Sequence, residues 1–364
     1  DLVHFVYQGR NDRLLLIGDK AQLPPVGEEE SPALHAAMLE GYGLKVYECD
    51  LNEVLRQSEE SGILYNATMI RQMITHDDIT QLPKIHFAGY SDIKPMPGAE
   101  LIEALADSYH HVGLDDTIVV TRSNKRANIF NQGIRNMVLD REEELSQGDI
   151  LMIVKNNYYW MEEERKKIKE KEIEERRVKS EGTESGTATH KVQSSKFQVQ
   201  SNDIPAFLAN GDRAKVLKVR RRIDLYGFRF ATLLLQFPDY GNYELEATVL
   251  LDTLTSEAPA LTHEQQEQLF HQIEEDYQDI PLKADRMKAI RQDQFFNALQ
   301  VKFAYAVTCH KAQGGQWAHV YVDQGYMTDD MLNPDYIHWL YTAFTRATEM
   351  LYLVNWPETQ TALE

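Results

Sequence analysis

The residues best suited to chemistry lie between Phe303 and Arg346. The run FAYAVTCHKAQGGQWAHVYVD carries an apolar segment up to Thr308, His310 and Lys311, turns at Gln313-Gly314-Gly315, and enters a second apolar segment. YIHWLYTAFTRAT follows and holds Arg346. Hydroxyl, imidazole, ammonium and guanidinium groups are all donors for phosphate oxygens, and phosphate chemistry rests largely on positioning and positive charge. The pattern reads as two strand-to-helix junctions side by side. In open parallel α/β sheets, ligands bind in the crevice outside the carboxyl ends of the strands, where loop donors and helix N-termini converge. A second polar junction stands near the start: LLLIGDKAQLPPVG runs from an apolar stretch into Gly18-Asp19, then Gln22 and the stiff pair Pro24-Pro25.

Elements are needed to position these groups. Arg13 to Gly27 predicts a buried parallel strand ending in a polar loop. Ser31 to Glu40 predicts a short helix with Ser31 as cap and Pro32 in its first turn. LKVYECDL predicts a strand, and Asn52 to Met73 one or two helices that carry Arg56 and turn Leu55, Ile63, Leu64, Ala67 and Ile70 to a core. A Pro- and Gly-rich loop follows to Gly98, then an amphipathic helix over Ala99 to Val112. Thr117 to Asp140 is a strand, a loop and a helix in succession, half of a βαβ unit, with Thr121, Arg122, Asn124 and Asn128 at or near the strand's end. From Gly148 the pattern becomes β-rich: GDILMIVKNNYYW, FLANGDRAKVLKV, FRFATLLLQF and YELEATVLL, separated by turn residues, predict a small inserted β-barrel. Its first hairpin is interrupted by a charged, helix-favouring arm with a Ser, Gly and Thr end. Helix-favouring charged stretches over Thr262 to Tyr277 and Leu282 to Gln300 return the chain to Phe303.

The chain has 364 residues, 43% of them apolar, enough for two or three domains with sizeable cores. A formal net charge of −19 argues against coating nucleic acid by bulk electrostatics, though a locally basic groove fits on an acidic body. Much of the acidity lies in Glu162 to Glu184 and Glu257 to Asp293, which read as solvated helices. Cys49 and Cys309 are too few and too scattered for a disulfide framework or a zinc site, which makes a reducing compartment, the cytoplasm, the expectation. No apolar run approaches the roughly 20 residues of a bilayer span, and the N-terminus lacks the order of a signal peptide, so no membrane partner is expected. No compact carboxylate cluster has metal-binding spacing, so no metal site and no nuclease role are expected.

In order, four strings resemble motifs of the superfamily 1 DNA helicases, within them the RecD-like group. GDKAQLPPVG resembles motif III, LNEVLRQSEESGIL motif IV, VTCHKAQGGQW motif V and LYTAFTRA motif VI. The resemblance spans most of the chain. It implies an α/β fold of RecA-like P-loop NTPase motor lobes, each a parallel sheet with flanking helices, with an SH3-like β-barrel inserted in the second. The implied layout is a remnant of the first lobe over 1–50, the second lobe over 51–147 and 254–364, and the barrel over 148–253 with its arm at 161–196.

By the same resemblance, Gln22 senses the γ-phosphate or its attacking water, and Arg56 and Arg346 act as arginine fingers. Gly18, Asp19, Gly314 and Gln316 lie near the nucleotide, with Gln316 standing where the family commonly has an acidic residue on the ribose. Thr308, His310 and Lys311, with Thr121, Arg122 and Asn124, contact the nucleic-acid phosphates, while Pro24, Pro25 and Val26 give an apolar edge to the track. Gln313 and Gly314 couple the two sides. The implied cofactors are ATP and Mg2+, and the implied partners are single-stranded DNA, duplex junctions and the proteins of a repair or recombination complex.

The Gly-x-x-x-x-Gly-Lys-[Ser/Thr] loop that cradles phosphates is absent from the sequence, as is an Asp-Glu pair for magnesium. In the family both precede motif III. The expectation is a C-terminal portion of an ATP-dependent helicase moving 5′ to 3′, inactive by itself. The alternatives are a non-catalytic nucleic-acid-binding subunit and an RNA-directed helicase of the same superfamily.

Overall fold

A computed structural model describes residues 1–50, 60–76, 79–181 and 204–362. They divide into two compact units, Asp1–Ala127 with Val307–Glu364, and Asn128–Ala306. Arg56, the rest of 51–59 and the far part of the charged arm lie outside the described residues.

The first unit is built on a sheet. In chain order its strands are β1 (Ile93–Met96), β2 (Thr117–Thr121), β8 (Ala306–Thr308), β9 (Trp317–Asp323) and β10 (Ala347–Val354). They lie in the order β1-β10-β9-β2-β8. The first three neighbouring pairs are parallel. TIVVT of β2 is buried at every position, as expected of a parallel strand covered on both faces. β1 falls where a loop was expected, and it contains Pro95. Proline offers no ladder donor, and the edge position of β1 is where a sheet tolerates that.

Helices α1 (Leu2–Val6), α2 (Ala36–Glu40), α3 (Gly62–Thr75), α4 (Leu101–His111), α9 (Cys309–Ala312) and α10 (Pro334–Phe344) belong to this unit, which also holds the start of α5 (Asn124–Gly133). α3 is capped by Ser61, whose hydroxyl accepts from the Leu64 N–H, and it buries Ile63, Ala67 and Ile70 as the spacing predicts. α10 starts with Asn333 as cap and Pro334 in the first turn, and buries every residue from Tyr336 to Phe344 except His338.

Two predicted strands are corrected. LLLI and LKVYECD take no place in a sheet among the described residues. Leu15 and Ile17 are 80% and 83% exposed. An apolar run supplies a tendency to burial, but a strand also needs a neighbouring ladder, and none of the sheet's strands lies beside these segments.

The second unit is built on a closed barrel of β3 (Ile150–Ile153), β4 (Arg213–Leu225), β5 (Phe228–Phe237), β6 (Tyr243–Leu250) and β7 (Leu299–Phe303). β7 pairs with both β6 and β3 and so completes the ring. Helix was expected as far as Gln300; it ends at Arg291, and LQVKF forms the closing strand. α6 (Tyr159–Glu181) is the start of the charged arm. α7 (His263–Asp276), opened by a capping box at Thr262, and α8 (Lys283–Arg291) place Leu269, Ile273 and Ile290 against Phe228 and Phe230 of β5.

A buried polar knot fixes the barrel's entry. The Asp149 carboxylate receives Arg135 Nε and Nη2 at 3.1 Å each, Arg141 Nη1 at 2.9 Å, the Tyr305 hydroxyl at 2.9 Å and the Ser146 N–H at 2.7 Å. A charge this deep is tolerable only when fully hydrogen-bonded and paired, and this one is.

Candidate functional site

The site lies in the first unit, where the segment after Gly18 meets α3, α9 and α10. Asp19 shapes a turn locally. Its side chain accepts from the Ala21 N–H at 3.0 Å and its carbonyl from the Gln22 N–H at 3.1 Å. The turn is then fastened from outside. The Leu23 N–H donates to Thr342 Oγ1 at 2.8 Å, Gln313 Nε2 donates to the Leu23 carbonyl at 2.8 Å, and His338 Nδ1 donates to the Ala21 carbonyl at 2.9 Å. Thr342 and His338 sit one turn apart on α10, joined by the Thr342 hydroxyl donating to the His338 carbonyl.

Arg346 follows directly. Its Nε donates to the Thr342 carbonyl at 2.9 Å, Nη1 to the Gly315 carbonyl at 3.1 Å, and Nη2 to Thr345 Oγ1 at 2.9 Å. The residue is only 5% exposed. A continuous set of bonds therefore runs from the turn holding Gln22, through Thr342, to the guanidinium of Arg346. Gly314 has φ +81, a conformation that favours glycine, and a Cβ on Gly315 would come within 2.3 Å of the Trp317 ring. The Gln-Gly-Gly turn thus brings its backbone under Arg346 only as glycine.

The expected site residues separate into groups. Gln22 is half-buried on its turn, with Pro24 half-buried and Pro25 and Val26 exposed beyond it. Gln316 is exposed. Asp19, expected beside a nucleotide, is instead held internally: Arg71 Nη1 lies 2.9 and 3.0 Å from its two carboxylate oxygens, and the Tyr341 hydroxyl donates to it at 3.0 Å.

Thr308, His310 and Lys311 stand at the carboxyl end of β8, with Thr308 and Lys311 half-buried and His310 exposed. Burial lowers the pKa of both His310 and Lys311, with Asp335 opposing the shift at His310. The direction at His310 favours the uncharged imidazole. At the end of β2, Arg122 is exposed, its guanidinium 5.4 Å from the Tyr336 ring and 6.0 Å from the Trp339 ring. Such stacking keeps the head oriented while leaving an edge to donate. Asn124 is half-buried at the start of α5. Thr121 is fully buried, and its hydroxyl donates to the Ser123 and Val307 carbonyls.

Sequence reasoning missed Arg71, His338, Tyr341 and Thr342. Tyr341 and Thr342 lie inside LYTAFTRA, where their place in the motif string was the available signal; Arg71 had none. Cys309 is buried, which pushes its thiol up to about 12 and leaves it unreactive. A magnesium ion does not fit the groups gathered here. The carboxylate at the turn is engaged by Arg71, and among the described residues no cluster of three His, Cys, Asp or Glu is set to hold a metal.

No curated protein matches the chain. Two solved structures show distant likeness. The Pif1 helicase from Candida albicans is 13% identical at a TM-score of 0.42, covering 95% of this chain and 64% of that one. The Pif1 helicase from Bacteroides, in complex with ADP-AlF3 and single-stranded DNA, is 11% identical at a TM-score of 0.39, covering 95% and 63%. The chain thus spans less than two thirds of the length of either. Residues 303–354, which hold Thr308 to Arg346, match the family described as the UvrD-like helicase C-terminal domain.

Proposed function

We propose that this chain is the C-terminal part of an ATP-dependent DNA helicase of superfamily 1 and RecD-like type, moving 5′ to 3′ on single-stranded DNA and working at duplex junctions. The observation that carries the reading is the run of bonds from the Gln22 turn through Thr342 to Arg346, whose α10 end lies inside the matched helicase segment. Such a link suits a motor, because the group that senses the γ-phosphate and the group that neutralises its charge must be positioned together.

In this reading Gln22 faces the γ-phosphate or its attacking water, and Arg346 and Arg56 act as fingers. Gly18, Gly314 and Gln316 line the approach. Arg346 now donates to carbonyl and hydroxyl oxygens. A phosphate is a stronger, charge-assisted acceptor, so nucleotide binding exchanges those bonds for bonds to phosphate. Thr308, Lys311, Arg122 and Asn124 carry the phosphates of the strand, His310 adds a hydrogen bond, and Pro24, Pro25 and Val26 form an apolar edge for bases. The barrel is of SH3-like type. The reading requires a Gly-rich phosphate loop and an acidic pair for magnesium, strings that these 364 residues do not contain.

The test is strand separation by the protein at full length beside its Arg346→Ala variant. The variant is expected to bind DNA and fail to unwind it; unwinding that survives removes the finger assignment. Stimulation of ATP hydrolysis by RNA and not by DNA would replace the DNA reading with an RNA-directed motor.

A further inference from the structure

The Asp19 carboxylate is held by a residue that no motif contains. Arg71 lies on the last full turn of α3, 52 residues from Asp19 and 270 from Tyr341. Its Nη1 reaches both carboxylate oxygens and also donates to the Tyr341 hydroxyl at 2.8 Å, while that hydroxyl donates to Asp19. Its guanidinium lies 5.7 Å from the Tyr341 ring. Three elements far apart in the chain are thus closed into one ring of bonds.

We infer that Arg71 is a positioning residue: through Asp19 it fixes the Ala21–Leu23 turn on α10, and so sets where Gln22 points. The bland alternative is a helix-surface ion pair that steadies α3 alone, and pairs of that kind contribute little. Three observations favour the positioning role. The same carboxylate that meets Arg71 also accepts the Ala21 N–H, so the ion pair and the turn share one acceptor. Ala21 is 4% exposed and its carbonyl is bound by His338, so the turn has a defined seat for Arg71 to preserve. Asp19 keeps 22% of its side-chain surface, so removing Arg71 leaves a largely buried carboxylate short of donors. The predicted response is for the carboxylate to swing toward water and release the turn. The consequence for ATP turnover rests on the helicase reading; the consequence for the turn does not.

Hydrogen exchange on the chain as it stands tests this. Arg71→Met is expected to speed exchange of the Ala21, Gln22 and Leu23 amides about tenfold while β2 and β9 keep their protection, the pattern of a local opening. Tyr341→Phe, which removes one hydroxyl and little packing, is expected to move the same amides less. Arg71→Lys is expected to restore most of the protection, because one three-donor ammonium can replace the single nitrogen that makes all these bonds. Unchanged exchange at 21–23 in Arg71→Met, or an equal rise across β2 and β9, overturns the inference. In the full-length protein, Arg71→Met is further expected to lower kcat for ATP with KM little changed. A changed turn with unchanged kcat would leave Arg71 as the latch and sink the role given to Gln22.

Discussion

Two carboxylates in this chain are held by the same kinds of partner, and they differ in burial. Asp149 in the barrel unit and Asp19 in the sheet unit each meet arginine and tyrosine. Around Asp149 the side-chain exposures are 0% for the aspartate and 2% for Arg135; around Asp19 they are 22% and 43% for Arg71. The buried knot has no water to fall back on, so every bond in it is obligatory and it acts as a structural fixture. The Asp19 cluster is mostly buried but keeps some contact with water, so it gives way at lower cost than the knot, as the role inferred for the Gln22 turn requires. On the role inferred for Arg71, similar residues serve as a rivet in one unit and a latch in the other.

The largest expected effect is on the rivet. Asp149→Ala leaves Arg135 charged and buried, and it should lower the unfolding free energy by about 3–5 kcal/mol in urea denaturation. A loss below about 1 kcal/mol would erase the distinction between the two clusters. Alkaline pH probes the same knot. Burial and the Asp149 charge raise the Tyr305 pKa well above its ordinary 10.0. The unfolded chain therefore gives up this proton first, and Tyr305 contributes stability that is complete below pH 10 and lost as pH rises through the folded value. Tyr305→Phe should flatten that alkaline fall in stability. At the latch, a double-mutant cycle of Asp19→Asn with Arg71→Met should give a coupling of only about 0.5–1 kcal/mol, as suits a solvent-screened pair.

The smallest effect concerns Lys311. Replacing it with Met should weaken single-strand binding for all sequences alike and reduce the slope of log affinity against log salt by about 0.7. Burial lowers the Lys311 pKa, so wild-type affinity should fall as pH rises through a value below 10.5, a step that the variant lacks.

How much of this was legible in the sequence follows from how local each signal is. The barrel's first strands announce themselves by turn residues at short intervals, and the β2 and α5 junction by an abrupt change of period. The closing strand LQVKF was hidden because its partners, β3 and β6, are fixed by pairing with distant residues. LLLI had the composition of a buried strand, but composition cannot say whether a neighbouring strand is present. Thr121 sat at the right end of β2, yet the pleat turns its hydroxyl inward. Arg71 was invisible because a helical arginine acquires meaning only from partners across the fold, while Thr308, His310, Lys311 and Arg346 stood out as candidates because their motifs are short and contiguous.

The central claim is that the Gln22 turn and Arg346 form one nucleotide-responsive unit. Its most direct test is ATP hydrolysis stimulated by single-stranded DNA in the full-length protein, comparing wild type, Gln22→Ala, Arg346→Ala and the double variant. The prediction is a kcat loss for Arg346→Ala on the order of 10³, a loss for Gln22→Ala as well, a double variant scarcely worse than Arg346→Ala alone, and DNA affinity unchanged throughout. Losses that multiply independently, or a kcat that survives Arg346→Ala, would contradict it.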